Sequence, residues 1–210
     1  MRKLLAAIVV AMWGGLATAE EIVIAALGDS LTHGYGLPVE QGFVPQMQAW
    51  LRGQGAEVTL INAGVSGDTT AGGLARLGWT LTPEVDALIV ALGGNDALRG
   101  IAPEDARANL TQILETASEN ELPVLLVGIR APGNFGPDYK AEFEAIFPDL
   151  AQAHGAIYVP DFLAALGRDP AGYAPFLQAD GLHPNADGVA LVVKDLGPSV
   201  QALIKAVQTP

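Results

Sequence analysis

A chain of 210 residues, half of them hydrophobic, has room for one domain with a fully formed core. Its formal net charge of −12 gives a surface that repels polyphosphate backbones, which argues against a nucleic-acid partner. It contains no cysteine, which excludes a disulfide framework and a lipid-modified cysteine, so stability has to come from the core.

The first segment differs from the rest. Arg2 and Lys3 precede an apolar run from Leu4 to Trp13, and Ala17-Thr18-Ala19 follows. A positive start, a short apolar run and an A-x-A site predict a secretory signal peptide over residues 1–19, cut after Ala19, with one domain over residues 20–210. The apolar run is shorter than the ~20 residues of a spanning helix, so no stable membrane span is expected after processing. A periplasmic or secreted location follows, and a monomer is expected.

Beyond the leader, short apolar runs at 22–27, 58–61, 87–92, 124–129 and 156–159 read as strands buried on both faces. Helical periodicity fills the intervals. Phe43, Met47, Trp50 and Leu51 share one face, and Leu110, Ile113, Leu114 and Ala117 another, with Pro103 suited to a first turn. Tyr139, Phe143, Ile146, Phe147 and Leu150 share a third, which Pro148 should kink or interrupt. A last helix starts near Ala186, with Val189, Val192, Val193 and Leu196 inward. Alternating strands and helices predict an α/β fold, a three-layer α/β/α sandwich on a mostly parallel five-stranded sheet.

Parallel sheets collect chemistry at the carboxyl ends of their strands, and a serine stands there after the first run, in Gly28-Asp29-Ser30-Leu31. Its hydroxyl can face a cleft as a nucleophile, or it can cap the next helix. A nucleophilic serine needs a base. His33 lies in the turn beside Ser30, where lining a loop is its simpler role, and His154 sits at a helix end beside Gly155, where the helix dipole accounts for it. His183 lies in Asp180-Gly181-Leu182-His183-Pro184, where one turn can bring the Asp180 carboxylate to the imidazole; the same residues also suit a helix-initiating turn. Two glycine-rich turns, one carrying Gly67 and one carrying Asn95, should emerge at the same sheet edge and can offer N–H donors to an oxyanion. Asp29, Asp68 and Asp96 read as loop-bracing acceptors.

The segments GDSLTHGYG, NAGVSGDTT, GGND and DGLHP, taken in this order, resemble the blocks of the SGNH, or GDSL, hydrolase family. GGNDALRG and IRAPGNFGPDY are similar to its bacterial thioesterase I, arylesterase and lysophospholipase group. The resemblance implies a flavodoxin-like sandwich and a Ser-His-Asp hydrolase. Ser30, Asp180 and His183 would be catalytic, and Ser30, Gly67 and Asn95 would supply oxyanion donors. It implies an esterase acting on acyl esters, thioesters or lysophospholipids, and the expected leader would export it. The chain offers no clustered metal-ligand motif and no G-x-G-x-x-G phosphate pattern in the first turn, so no cofactor and no metal are expected. Apolar residues after the fourth strand, Ile129, Phe135, Tyr139 and Phe143, are expected to bind the acyl chain. A carbohydrate O-deacetylase of the same family is an alternative reading, and a non-catalytic flavodoxin-like binding module is another.

Overall fold

Five short runs of apolar residues pair edge to edge because both of their faces need cover. In the computed structural model, which describes residues 21–209, they are β1 (Ile22–Gly28), β2 (Val58–Gly64), β3 (Ala87–Ala91), β4 (Val124–Val127) and β5 (Ile157–Val159). The expected leader and its cleavage point lie outside the described residues. The strands form one sheet in the order β2-β1-β3-β4-β5, and every pairing is parallel.

Nine helices surround the sheet among the described residues: α1 (Ser30–His33), α2 (Phe43–Gly53), α3 (Thr70–Ala75), α4 (Leu77–Thr80), α5 (Gly94–Arg99), α6 (Pro103–Glu119), α7 (Pro137–His154), α8 (Pro170–Tyr173) and α9 (Ala186–Gln208). Alternation along β1 divides the core in two. Ile24 and Ala26 pack with Met47 and Leu51 of α2 and with Val192 and Leu196 of α9. Ala25 and Leu27 pack on the other face with Leu110 of α6 and Phe143 and Phe147 of α7. The result is the expected α/β/α sandwich.

Two strand ends and one helix differ most from those expected, the other three strands agreeing to within one residue. β2 runs past Ile61 to Gly64, because Asn62, Ala63 and Gly64 continue the ladder opposite Ala26, Leu27 and Gly28. β4 stops at Val127, since Gly128 donates to the Val159 carbonyl and accepts from the Phe162 N–H, turning the chain out of the sheet. α7 passes through Pro148 without interruption. The ring removes one donor, while Phe143, Ile146 and Phe147 before it and Leu150 and Ala151 after it are buried in one core, which holds both halves in line.

With β1 between β2 and β3, the chain leaves β1 in one direction across the sheet and later continues in the other. That reversal opens a crevice at the carboxyl ends of β1 and β3, the place where open α/β sheets bind ligands. Ser30 lies just beyond β1 and Asn95 just beyond β3, on its two sides.

Candidate active site

β1 turns directly into α1. The Asp29 carboxylate caps that helix, accepting from the Leu31 N–H at 3.0 Å, so Ser30 is the first helical residue and the cap is its neighbour. Ser30 therefore keeps its hydroxyl for the cavity that it lines. The following residues are not a loose loop: Gly34, in the left-handed region, returns its N–H to the Ser30 carbonyl and closes the turn.

His183 reaches Ser30 from the far end of the sequence. Its Nε2 lies 2.8 Å from the Ser30 Oγ, and its Nδ1 lies 2.7 Å from an Asp180 carboxylate oxygen. An ionised carboxylate only accepts, so Nδ1 carries the proton donated to Asp180, and Nε2 is left to accept from the serine hydroxyl. The other Asp180 oxygen accepts from the backbone N–H groups of Leu182 and His183 at 2.9 and 3.0 Å. The bond from the His183 ring, with these two, lowers the Asp180 carboxyl from 3.8 to about 2. Asp180 and His183 thus do more than start a helix; the N-cap of α9 is Asn185.

Two turns face Ser30 across the crevice. Gly67 has φ of +83°, where a side chain would be strained, and a Cβ there would meet only the Arg99 guanidinium, at 3.7 Å. Arg99 donates to the Gly67 carbonyl at 2.8 Å, tying the turn after β2 to α5. Among the described residues, the backbone N–H groups of Ser30 and Gly67 have no hydrogen-bond partner. The Asn95 amide donates to Asp29 at 3.3 Å, a long bond that orients one amide hydrogen and leaves the second. Ser30, Gly67 and Asn95 all border the same cavity.

The three other aspartates brace the loops. Asp29 is 5% exposed, and burial raises its carboxyl from 3.8 to about 6 against the opposing pull of the Leu31 N–H. Asp96, fully buried, accepts from the N–H and the hydroxyl of Thr70 at 2.9 and 2.6 Å. Asp68 pairs with Arg76 at 2.6 Å, and Arg76 also donates to the carbonyls of Ala63 and Gly28 at 2.6 and 2.9 Å. One guanidinium therefore ties together the ends of β1 and β2 and the turn carrying Gly67. His33 makes no hydrogen bond with Ser30 Oγ or Asp180: its Nδ1 lies 3.1 Å from the Ser66 Oγ, in an exposed pair.

From Ser30 and His183 a cavity of about 510 Å³ extends under the loops, walled chiefly by Leu31, Leu98, Ile129, Phe162, Leu163 and Leu166. Of the four residues expected to bind an acyl chain, only Ile129 borders it. Phe143 is buried in the core between sheet and α7, and the Tyr139 hydroxyl is bonded to the Ile101 carbonyl. Phe135 stacks on Tyr139 at a centroid distance of 5.3 Å and covers Gly100. All three follow Ile129 in sequence, but α7 carries Phe143 into the core and Tyr139 against it, while Phe135, just before α7, stays on the exposed surface over Tyr139. Beside Leu31, Leu98 and Ile129, the apolar wall comes from the loop after β5. Its signal in the sequence is Phe162, Leu163 and Leu166 in a segment that continues neither strand nor long-helix periodicity.

The family model of GDSL-like lipases and acylhydrolases matches residues 26–191. Esterase TesA of Pseudomonas aeruginosa is 37% identical over 182 residues, 86% of this chain and 89% of its own. The Escherichia coli K12 enzyme named thioesterase 1/protease 1/lysophospholipase L1 is 33% identical, over 90% of this chain and 86% of its own. The crystal structure of AlinE4, an esterase of the SGNH-hydrolase family, superposes with a TM-score of 0.73 at 43% identity, covering 89% of this chain and 98% of that one. The sheet order, the crevice between β1 and β3 and these likenesses lead to one assignment: the chain belongs to the GDSL-like lipase/acylhydrolase family.

Proposed function

We propose that the chain is an exported serine esterase that cleaves acyl esters through an acyl-enzyme on Ser30. The observation that carries this reading is the hydrogen-bonded line Ser30–His183–Asp180, at 2.8 and 2.7 Å, opening on an apolar cavity. His183 Nε2 takes the hydroxyl proton as the Ser30 Oγ attacks the acyl carbonyl, and Asp180 stabilises the imidazolium so formed. The negative charge on the carbonyl oxygen falls towards the N–H groups of Ser30 and Gly67 and the Asn95 amide. Imidazolium then gives its proton to the leaving alcohol or thiol. Water, activated by the same imidazole, releases the carboxylic acid.

The relatives named esterase TesA and thioesterase 1/protease 1/lysophospholipase L1 support esters, thioesters and lysophospholipids as the substrate classes to test. The apolar wall supports an acyl chain as the bound group in preference to an acetylated sugar. Arg2, Lys3, the apolar run and Ala17-Thr18-Ala19 support export with removal of residues 1–19. No helix among the described residues is long and apolar enough to cross a membrane.

A fluorophosphonate should label the wild-type protein once, at Ser30, and Ser30→Ala should abolish both labelling and nitrophenyl-ester turnover while leaving the circular dichroism spectrum unchanged. A folded Ser30→Ala that retains wild-type turnover overturns the nucleophile. Turnover of acetylated sugars above all acyl esters would replace the esterase reading by the deacetylase one.

A further inference from the structure

His183 has to meet Ser30 across the whole sequence, yet it stands on a loop. That loop is closed on itself: Leu177 bridges Pro184, the Gln178 N–H donates to the His183 carbonyl at 2.8 Å, and the Gly181 N–H donates to the Gln178 carbonyl at 3.0 Å. These bonds shape the loop without fixing it to the segment that carries Ser30.

The link between the two is the Gln178 side chain. Its Nε2 donates to the Tyr35 carbonyl at 2.7 Å and to the Pro184 carbonyl at 2.9 Å. Both partners are carbonyl oxygens, so only the amide NH2 satisfies them, and both of its hydrogens are used. Tyr35 follows α1, and its own N–H donates to the Ser30 carbonyl at 3.1 Å. Pro184 follows His183 directly. Gly36 completes the seat: φ is +76°, and a Cβ there would stand 2.2 Å from the Gln178 Oε1. The Tyr35 ring lies over the imidazole, with centroids 4.7 Å apart. Besides the Ser30–His183 contact itself, Gln178 makes the only side-chain hydrogen bond between these two segments among the described residues.

We infer that Gln178 is a positioning residue, an amide clamp that holds the His183 loop on the Ser30 turn and so sets the distance across which the proton moves. The inference rests on His183 being the base for Ser30. Displacement of a reacting group by about 1 Å can cost ~10²-fold, whereas substrate contacts elsewhere in the cavity are untouched. Loss of the clamp therefore lowers kcat and leaves KM nearly unchanged.

The test is a double-mutant cycle between Gln178→Met, which keeps the length of the side chain and removes its donors, and His183→Gln. Steady-state ester hydrolysis, the rate of fluorophosphonate labelling and thermal melting are measured for all four proteins. Gln178→Met alone is expected to lose roughly tenfold to a hundredfold in kcat and in labelling rate. In the His183→Gln background, where no base is left to position, the same substitution should change the residual rate less than twofold. An equal loss in both backgrounds, or a loss confined to KM, overturns the clamp. Full turnover by His183→Gln overturns the base assignment, and the clamp with it. Gln178→Asn, which keeps the amide but is one methylene short, gives the same reading should Gln178→Met not fold; wild-type kcat in either folded variant is also decisive against the clamp.

Discussion

Asp29 shows at the scale of one residue how this site divides stability from activity. Its carboxylate caps α1 and orients Asn95, but it does so while buried. The folded protein binds the Asp29 proton more tightly than the unfolded chain does, so ionising this group costs stability. That cost is absent below pH 3.8, develops as the pH rises to about 6 and is complete above that value. The displacement corresponds to at most about 3 kcal/mol. Asp29→Asn should therefore raise the melting temperature at mildly alkaline pH, with the gain vanishing as the pH falls through the acid range. The same variant should lose about tenfold or more in kcat, because an amide whose oxygen caps Leu31 turns its NH2 towards Asn95 and no longer accepts from it. Thermal melts as a function of pH check the first part; a gain that is the same at every pH would be fatal to it. Asp180 behaves in the opposite sense. Held at about 2 chiefly by the His183 ring, it stays ionised throughout the working range and cannot be the source of an acidic limb in the activity profile.

Between elements, the parts that the sequence made legible were those with a repeating pattern or a chemical signature. Burial on both faces writes continuous apolar runs, so all five strands could be read, and glycine-rich turns at their ends marked the crevice. Arg76 had neither signal. A single arginine at the junction of α3 and α4 looks like surface, yet it reaches back to the ends of β1 and β2 and to Asp68. Its contacts are with backbone carbonyls, which every residue possesses and no pattern reveals. Gln178 was hidden for the same reason. Arg76→Leu should destabilise the protein by about 3 kcal/mol, since it strands the largely buried Asp68 carboxylate and removes a donor from the Ala63 and Gly28 carbonyls. Urea denaturation should show this as a lower midpoint with an unchanged slope. A shift below about 0.5 kcal/mol would mean that water replaces the guanidinium and that Arg76 is dispensable to the junction.

Over the whole molecule, the cavity is assembled from the segments that follow all five strands, and its apolar wall is contributed by residues far apart in sequence, Leu31, Leu98, Ile129 and Phe162 among them. Sequence proximity was therefore a poor guide to it: Phe135, Tyr139 and Phe143 follow Ile129 closely, but Phe135 stays on the surface and α7 carries the other two away, whereas Leu163 lies beyond another strand and borders the space. The difference can be measured. Each methylene buried against such a wall contributes ~0.8 kcal/mol, or roughly fourfold in kcat/KM, so hexanoyl esters should be hydrolysed well ahead of acetyl esters by the wild-type enzyme. Leu163→Trp fills part of the cavity and should move the optimum of a nitrophenyl-ester series towards shorter acyl groups. Phe135→Ala, which removes a ring stacked outside the cavity, should leave the optimum where it is. The reverse pattern, with the profile moved by Phe135→Ala and unmoved by Leu163→Trp, would return the acyl site to the residues after β4 and away from the loop after β5.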